Sequence, residues 1–283
     1  MLNDLYQSLN PVALRLGTFE IRWYGLAYIG GFVIAFFLMR FLIKRWNLKI
    51  TSEDLLSIIV MVAFGIVIGG RLGYVLFYGD GYYFAHPLEI FALHEGGMSF
   101  HGGLIGAIIA GFIACKLFRL SFLTLADLAC IVAPVGIFFG RIANFINGEL
   151  WGKPTDLPIG VAFASGGGIM RHPSQLYEAL LEGLILFCVL FLLALKSSRH
   201  QGFYTGLFLV LYALFRSLVE FVRVPDPQLG YLFGPVTMGM LLSLPLFIAG
   251  VALLVYQAQH PRAQCGSVGR DTITQLSHPS KKA

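Results

Sequence analysis

The chain has 283 residues, of which 57% are apolar and 12% charged, with a formal net charge of +5. Soluble domains carry about 25% charged and about 45–50% apolar residues. The composition therefore excludes a water-soluble globular protein, a disordered chain and a nucleic-acid binder, and points to an all-α polytopic membrane helix bundle.

A helix needs about 20 mostly apolar residues to cross the hydrocarbon core. Met1-Leu2-Asn3-Asp4 lacks the basic start and short apolar core of a cleavable signal, so the first apolar run reads as a retained span. Seven runs qualify, at 24–43, 55–77, 100–118, 124–145, 175–195, 204–222 and 236–257. Residues 1–257 thus read as a transmembrane catalytic domain with outer loops, including 148–173, and residues 258–283 as a polar, disordered cytoplasmic tail. The loop up to Gly168 holds three consecutive glycines and reads as mobile, and Glu149 to Lys153 as a gate or lid. Cys115, Cys130, Cys188 and Cys265 form no CxxC pair, which supports neither a zinc site nor a disulfide framework.

Lysine and arginine in the loops set the orientation. With the N-terminus outside, 12 fall inside and 5 outside, while Arg71, Arg141 and Arg216 remain in spans, completing the 20. N-outside, C-inside is favoured. Glycines recur every fourth residue at Gly65, Gly69 and Gly73, at Gly102 and Gly106, and at Gly136 and Gly140. Such small-residue faces let helix backbones approach closely.

An arginine at mid-bilayer costs about 2.5–3.5 kcal/mol even on a lenient scale. Arg71, Arg141 and Arg216 each lie in the last third of an outward-running span, at outer-leaflet depth. Tyr24, His101, Gln175 and Glu178 lie near the start of inward-running ones. The polar groups therefore share one layer. Arg141, Asn144 and Gly148 share a helix face, and so do Tyr212, Arg216, Glu220 and Arg223. Glu220 reads as a partner of Arg216, with excess positive charge remaining after pairing. Cations and amide donors at headgroup level suit a lipid phosphate. His101 reads either as a satisfied interfacial residue or as a base, next to two glycines that let another group come close. His172 and Ser174 read as a polar helix entry with Ser174 as cap, and Asp127 as an N-terminal charge on its own helix. A transporter for an anionic solute would also use arginines, but would show internal repeats and polar groups at mid-depth.

Three blocks carry a resemblance. They are His101-Gly102-Gly103-Leu104-Ile105-Gly106, the thirteen residues from Gly140 to Gly152 (Gly-Arg-Ile-Ala-Asn-Phe-Ile-Asn-Gly-Glu-Leu-Trp-Gly), and Arg171-His172-Pro173-Ser174-Gln175-Leu176-Tyr177-Glu178. With Arg22-Trp23-Tyr24-Gly25 and Phe215-Arg216-Ser217-Leu218-Val219-Glu220-Phe221, the sequence resembles the bacterial phosphatidylglycerol–prolipoprotein diacylglyceryl transferases from about residue 20 to residue 257. The outer loop between Gly152 and Arg171 is short for that family. The resemblance implies a seven-span inner-membrane enzyme with its site toward the periplasm. It would move the diacylglyceryl group of phosphatidylglycerol onto the lipobox cysteine of a prolipoprotein, releasing glycerol phosphate. It also implies functional roles for Tyr24, His101, Arg141, Asn144, Glu149, Gly152, Arg216 and Glu220. Tyr24, His101, Arg141, Arg216 and Glu220 are then expected to be catalytic. Arg141, Asn144, Glu149, Gly152, Tyr212 and Arg216 are expected to bind phosphatidylglycerol. The nucleophile belongs to the substrate. His101 would take the thiol proton, the two arginines would stabilise the leaving phosphate, and Glu220 would orient Arg216. No metal or cofactor is expected.

Overall fold

The computed structural model describes residues 1–17, 19–93, 96–225, 231–233 and 236–265. The chain opens with a short helix, Leu2–Gln7 (α1), and an antiparallel hairpin of Val12–Leu16 (β1) and Phe19–Arg22 (β2). Then come Trp23–Arg45 (α2), Ser52–Tyr78 (α3), the single turn Tyr82–Ala85 (α4), Phe100–Phe118 (α5) and Phe122–Asn147 (α6). Val161–Ala162 (β3) pairs with Met170–Arg171 (β4) ahead of Ser174–Lys196 (α7). Phe203–Glu220 (α8), the strands Tyr231–Phe233 (β5) and Val236–Thr237 (β6), and Met238–Gln259 (α9) complete the order. Among the described residues, helices α2, α3 and α5 to α9 are the seven long and apolar enough to cross a membrane, and they coincide with the seven expected runs. The protein is a multi-pass helical membrane bundle. Phe37, Phe64, Leu180 and Ile248 stay exposed on the helix flanks, which costs nothing where lipid is the solvent. By internal packing the described residues fall into two units, 47–125 with Cys265, and 1–46 with 126–264.

The smaller unit is a helix pair. Thr51 and Asp54 form a reciprocal capping box that starts α3, and Ser99 caps α5 by accepting from the Gly102 N–H at 3.3 Å. The expected glycine faces meet here. A Cβ on Gly65 would come 2.6 Å from the Gly106 carbonyl oxygen and one on Gly73 2.8 Å from the Gly102 Cα, so only hydrogen fits along the seam. Arg71 does not join a ligand-facing polar layer as the sequence suggested. Its guanidinium is spent on backbone, donating to the carbonyls of Glu89 (2.6 Å), Ile90 (2.7 Å), Gly96 (2.6 Å) and Gly97 (3.1 Å). It organises the loop between α4 and α5.

In the larger unit, α7 is not a regular α-helix throughout. Over Ala179–Ile185 it widens to a π-helical turn, a feature frequent at functional sites. Gly183 lies in that turn, where a Cβ would press 2.7 Å from the Phe138 Cβ of α6, so the two helices are in close contact beside it. The glycine face on α6 differs from expectation. A Cβ on Gly136 or Gly140 would meet nothing within 4 Å among the described residues. A seam the sequence reading missed joins α8 to α9, where Gly206 and Gly250 each face the other's carbonyl.

Asp127 is fully buried and does not serve its own helix. Its carboxylate accepts from the N–H groups of Gly202 and Thr205 at 2.8 Å each, and from the Thr205 hydroxyl at 2.7 Å. It caps α8, whose first N–H groups would otherwise lack partners. The start of the expected disordered tail is also held. The backbone and side-chain nitrogens of Gln201 donate to the carbonyls of Arg262 and Ala263 at 2.8 Å each, and Gln264 donates to Asp127 at 2.5 Å. The remainder of the expected tail, 266–283, lies outside the described residues.

Candidate functional site

The larger unit gathers its charges around the first turns of α7. Glu178 and Glu182 are one helical step apart, both with 0% exposed side chains. Three arginines from other segments converge on Glu178. Arg141 of α6 approaches with Nε 3.1 Å from Oε2. Arg223, just past α8, lies with Nη1 2.7 Å from Oε1, and Arg216 of α8 donates to the same oxygen through Nη1. Arg216 also reaches Glu220 through Nη2, and the second Glu220 oxygen accepts from the Thr237 hydroxyl at 2.5 Å. Thr237 is the N-cap of α9, so Glu220 sits where the positive end of a helix dipole favours a carboxylate. Gly239 lacks the Cβ that would collide with Glu220.

Three arginines therefore face three glutamates, and the surplus of positive charge expected from the sequence is absent from this network. Exposure restores an asymmetry. The acids are 0–3% exposed, whereas Arg141 retains 20%, Arg216 14% and Arg223 10%. What remains accessible is cationic. A buried ion network of this kind holds its members in place rather than adding much stability.

Around this core the structure brings together most of the expected residues. Tyr212 precedes Arg216 by one turn, and its hydroxyl feels the charges of Glu182, Arg216, Arg141 and Glu178. Tyr24, near the start of α2, hydrogen bonds the Tyr28 hydroxyl at 3.0 Å and lies in the field of Glu149 and Arg141. Asn144 follows Arg141 by three residues and donates to Glu149 Oε1 at 2.7 Å, and Asn147 donates to the same oxygen at 3.3 Å. His101 belongs to the smaller unit, exposed on the first turn of α5 with its ring edge-on to Phe100.

The segment after α6 is fixed rather than lid-like. The helix ends at Gly148 (φ +69°), and Leu150 is also left-handed (φ 59°). Ser165 donates to the Gly148 carbonyl at 2.5 Å, Gln175 to that of Glu149 at 2.5 Å and Ser174 to that of Leu150 at 2.9 Å. Ser174 is thus a clamp on the loop and not a helix cap. Gly152 donates its N–H to the His172 carbonyl at 2.8 Å and bridges Arg223, in a gap where a Cβ would stand 2.6 Å from the Val222 oxygen. Its place is explained by packing that fixes Arg223. Arg171 stacks its guanidinium 4.0 Å from the Trp151 ring centre. Val161 and Phe163 are fully buried against Phe145 and Tyr6, so the expected mobile loop is a packed cap. Burial there pushes the Tyr6 hydroxyl above its usual pKa. Among the described residues, no group of three or more His, Cys, Asp or Glu side chains is placed to hold a metal ion.

Comparison with known proteins decides the family. Residues 11–256 match the family model described as prolipoprotein diacylglyceryl transferase. A Geobacter sulfurreducens protein is 50% identical over 250 residues, covering 88% of this chain and 96% of its own. The chain belongs to the prolipoprotein diacylglyceryl transferase family. Relatives from Rickettsia bellii (44% over 265 residues, 93% of this chain and 98% of theirs) and Methylocella silvestris (49% over 257, 89% and 94%) agree. All three are named phosphatidylglycerol–prolipoprotein diacylglyceryl transferase.

For a member of the prolipoprotein diacylglyceryl transferase family, two glutamates stand out. Glu178 entered the sequence reading as one polar group of the outer layer and as the end of a resemblance block, without a role, yet it is the hub of the network. Glu182 went unread because it sits inside an apolar run. The only sequence signal for it is its spacing of four from Glu178, which puts both acids on one helix face. Arg223, expected on the face of Arg216 and Glu220, lies just past the end of α8 and is a buried member of the cluster.

Proposed function

We propose that this chain transfers the diacylglyceryl group of phosphatidylglycerol to the lipobox cysteine thiol of prolipoproteins, in the bacterial inner membrane. Its N-terminus and active site would face the periplasm and its C-terminus the cytoplasm. The catalytic body would span residues 1–257, with 258–283 as a cytoplasmic extension. The observation that carries this reading is the convergence of Arg141, Arg216 and Arg223 on the buried Glu178, with the arginines more accessible than the acids.

The chemistry follows from charge. Only a few per cent of a free thiol with pKa about 8.5 is thiolate at neutral pH. His101 takes the thiol proton. The sulfur then attacks the glyceryl carbon, the carbon–oxygen bond to phosphate breaks, and glycerol phosphate leaves with the bonding electrons on its oxygen. The phosphate passes from one negative charge to about −1.5 to −2. Arg141 and Arg216 stabilise that gain, and Glu178 and Glu220 hold their guanidinium planes in place beforehand. Asn144, oriented through Glu149, donates to a phosphate or glyceryl oxygen. Tyr24 and Tyr212 line the headgroup, and Gly152 acts by keeping the Arg223 segment in register. Lipid and prolipoprotein are the partners. The scheme uses no cofactor.

The test is the purified protein in detergent with phosphatidylglycerol and a lipobox peptide, followed by mass. A gain of one diacylglyceryl unit is expected. Arg141→Ala should lower the rate about 100–1,000-fold, and His101→Gln should block product while phosphatidylglycerol still binds. Absence of the mass gain, or near-normal turnover by Arg141→Ala, contradicts the reading.

A further inference from the structure

The proposed transfer leaves Glu182 without a task. Its side chain is fully buried, and neither carboxylate oxygen has a hydrogen-bond partner among the described residues. Both oxygens face arginine all the same. Oε2 stands 3.9 Å from Arg141 Nη2, and Oε1 stands 3.9 Å from Arg216 Nη1. That is about 1 Å beyond a charge-assisted hydrogen bond. Buried acceptors are nearly always paired, so an unpaired carboxylate inside a network calls for a reason. The π-helical turn begins at Ala179 and contains Glu182, which places the residue where helix geometry departs from regular.

We propose that Glu182 is a positioning residue that competes with the phosphate for Arg141 and Arg216, and so sets how readily glycerol phosphate leaves. This rests on the reading that the phosphate binds those two arginines. A site built to stabilise the growing charge grips the phosphomonoester product more tightly than the phosphodiester substrate. Glu178 cannot supply the counterweight, because Arg141, Arg216 and Arg223 already converge on it. Glu182 can. A shift of about 1 Å brings either guanidinium into hydrogen-bond range of its free oxygens. The carboxylate pulls the arginines back once the bond to carbon has broken.

The full-length enzyme in detergent, with phosphatidylglycerol and a lipobox peptide, is assayed with glycerol phosphate as added inhibitor, and thermal midpoints are recorded. Glu182→Gln keeps the shape and removes the charge. It should bind glycerol phosphate about tenfold more tightly, with both KM for phosphatidylglycerol and kcat lowered. Glu182→Asp withdraws the carboxylate by one methylene and should fall between Glu182→Gln and the wild type. A merely structural role predicts a lowered midpoint and lost activity with inhibition unchanged, and that result overturns the proposal. So does weaker inhibition of either variant. If Glu182→Gln does not fold, Glu182→Asp decides, and inhibition no tighter than wild type is then fatal. Failure of the underlying phosphate reading is separate. In that case Arg141→Ala turns over normally and glycerol phosphate leaves the wild type uninhibited.

Discussion

Arg216 touches two carboxylates through two different nitrogens, Glu178 through Nη1 and Glu220 through Nη2. Only a planar fork does this, since a lysine ammonium is a point charge on a flexible stem. Arg216→Lys should therefore keep the charge and lose the geometry. Transfer measured with phosphatidylglycerol and a lipobox peptide is expected to fall about 100-fold, with folded yield close to wild type. Retained activity would show that charge alone suffices. The sequence revealed the Arg216–Glu220 half of this fork, because the pair is one helical turn apart. It hid the other half. Glu178 lies 38 residues from Arg216, and no local period links them. Asp127 failed for the same reason. Its N–H partners begin 75 residues downstream, and an acid near the start of a helix looks like that helix's own charge until tertiary packing shows otherwise.

At the level of elements, glycine spacing was a reliable guide only where both partners carried it. The period of four in α3 met the period of four in α5, and the two backbones closed on each other. The same period in α6 makes only a looser contact: a Cβ on Gly31 of α2 would stand 3.5 Å from the Gly136 Cα, while a Cβ on Gly136 or Gly140 would meet nothing within 4 Å among the described residues. A side chain at the α3–α5 seam should force the pair apart. In Gly69→Leu the new Cβ alone would lie 2.8 Å from the Gly106 Cα. Overpacking of this kind costs about 1–3 kcal/mol. A clear drop in the thermal midpoint in detergent is expected, and an unchanged midpoint would mean that the seam is looser than drawn. Seven spans could be read from apolar runs of about 20 residues. The hairpins β1–β2, β3–β4 and β5–β6 could not, since strands of two to five residues leave no usable period. The loop after α6 was misjudged by its glycines. They permit left-handed turns, but hydrogen bonds from Ser165, Gln175 and Ser174 tie down the carbonyls of Gly148, Glu149 and Leu150, and Val161 and Phe163 are buried.

Across the whole molecule, the family and the reaction it implies were legible from five short blocks, whereas the electrostatic design was not. Composition shows that charges are scarce, and it cannot show that three acids lie buried beneath three arginines. The resulting site is balanced in sum and cationic at its accessible side. That arrangement suits an anionic headgroup whose charge increases as the bond breaks. The most direct test is an experimental structure with phosphatidylglycerol bound. The account predicts the lipid phosphate within hydrogen-bond distance, about 2.7–2.9 Å, of the guanidinium nitrogens of both Arg141 and Arg216. A headgroup seated elsewhere, with both arginines still closed on Glu178, would contradict it.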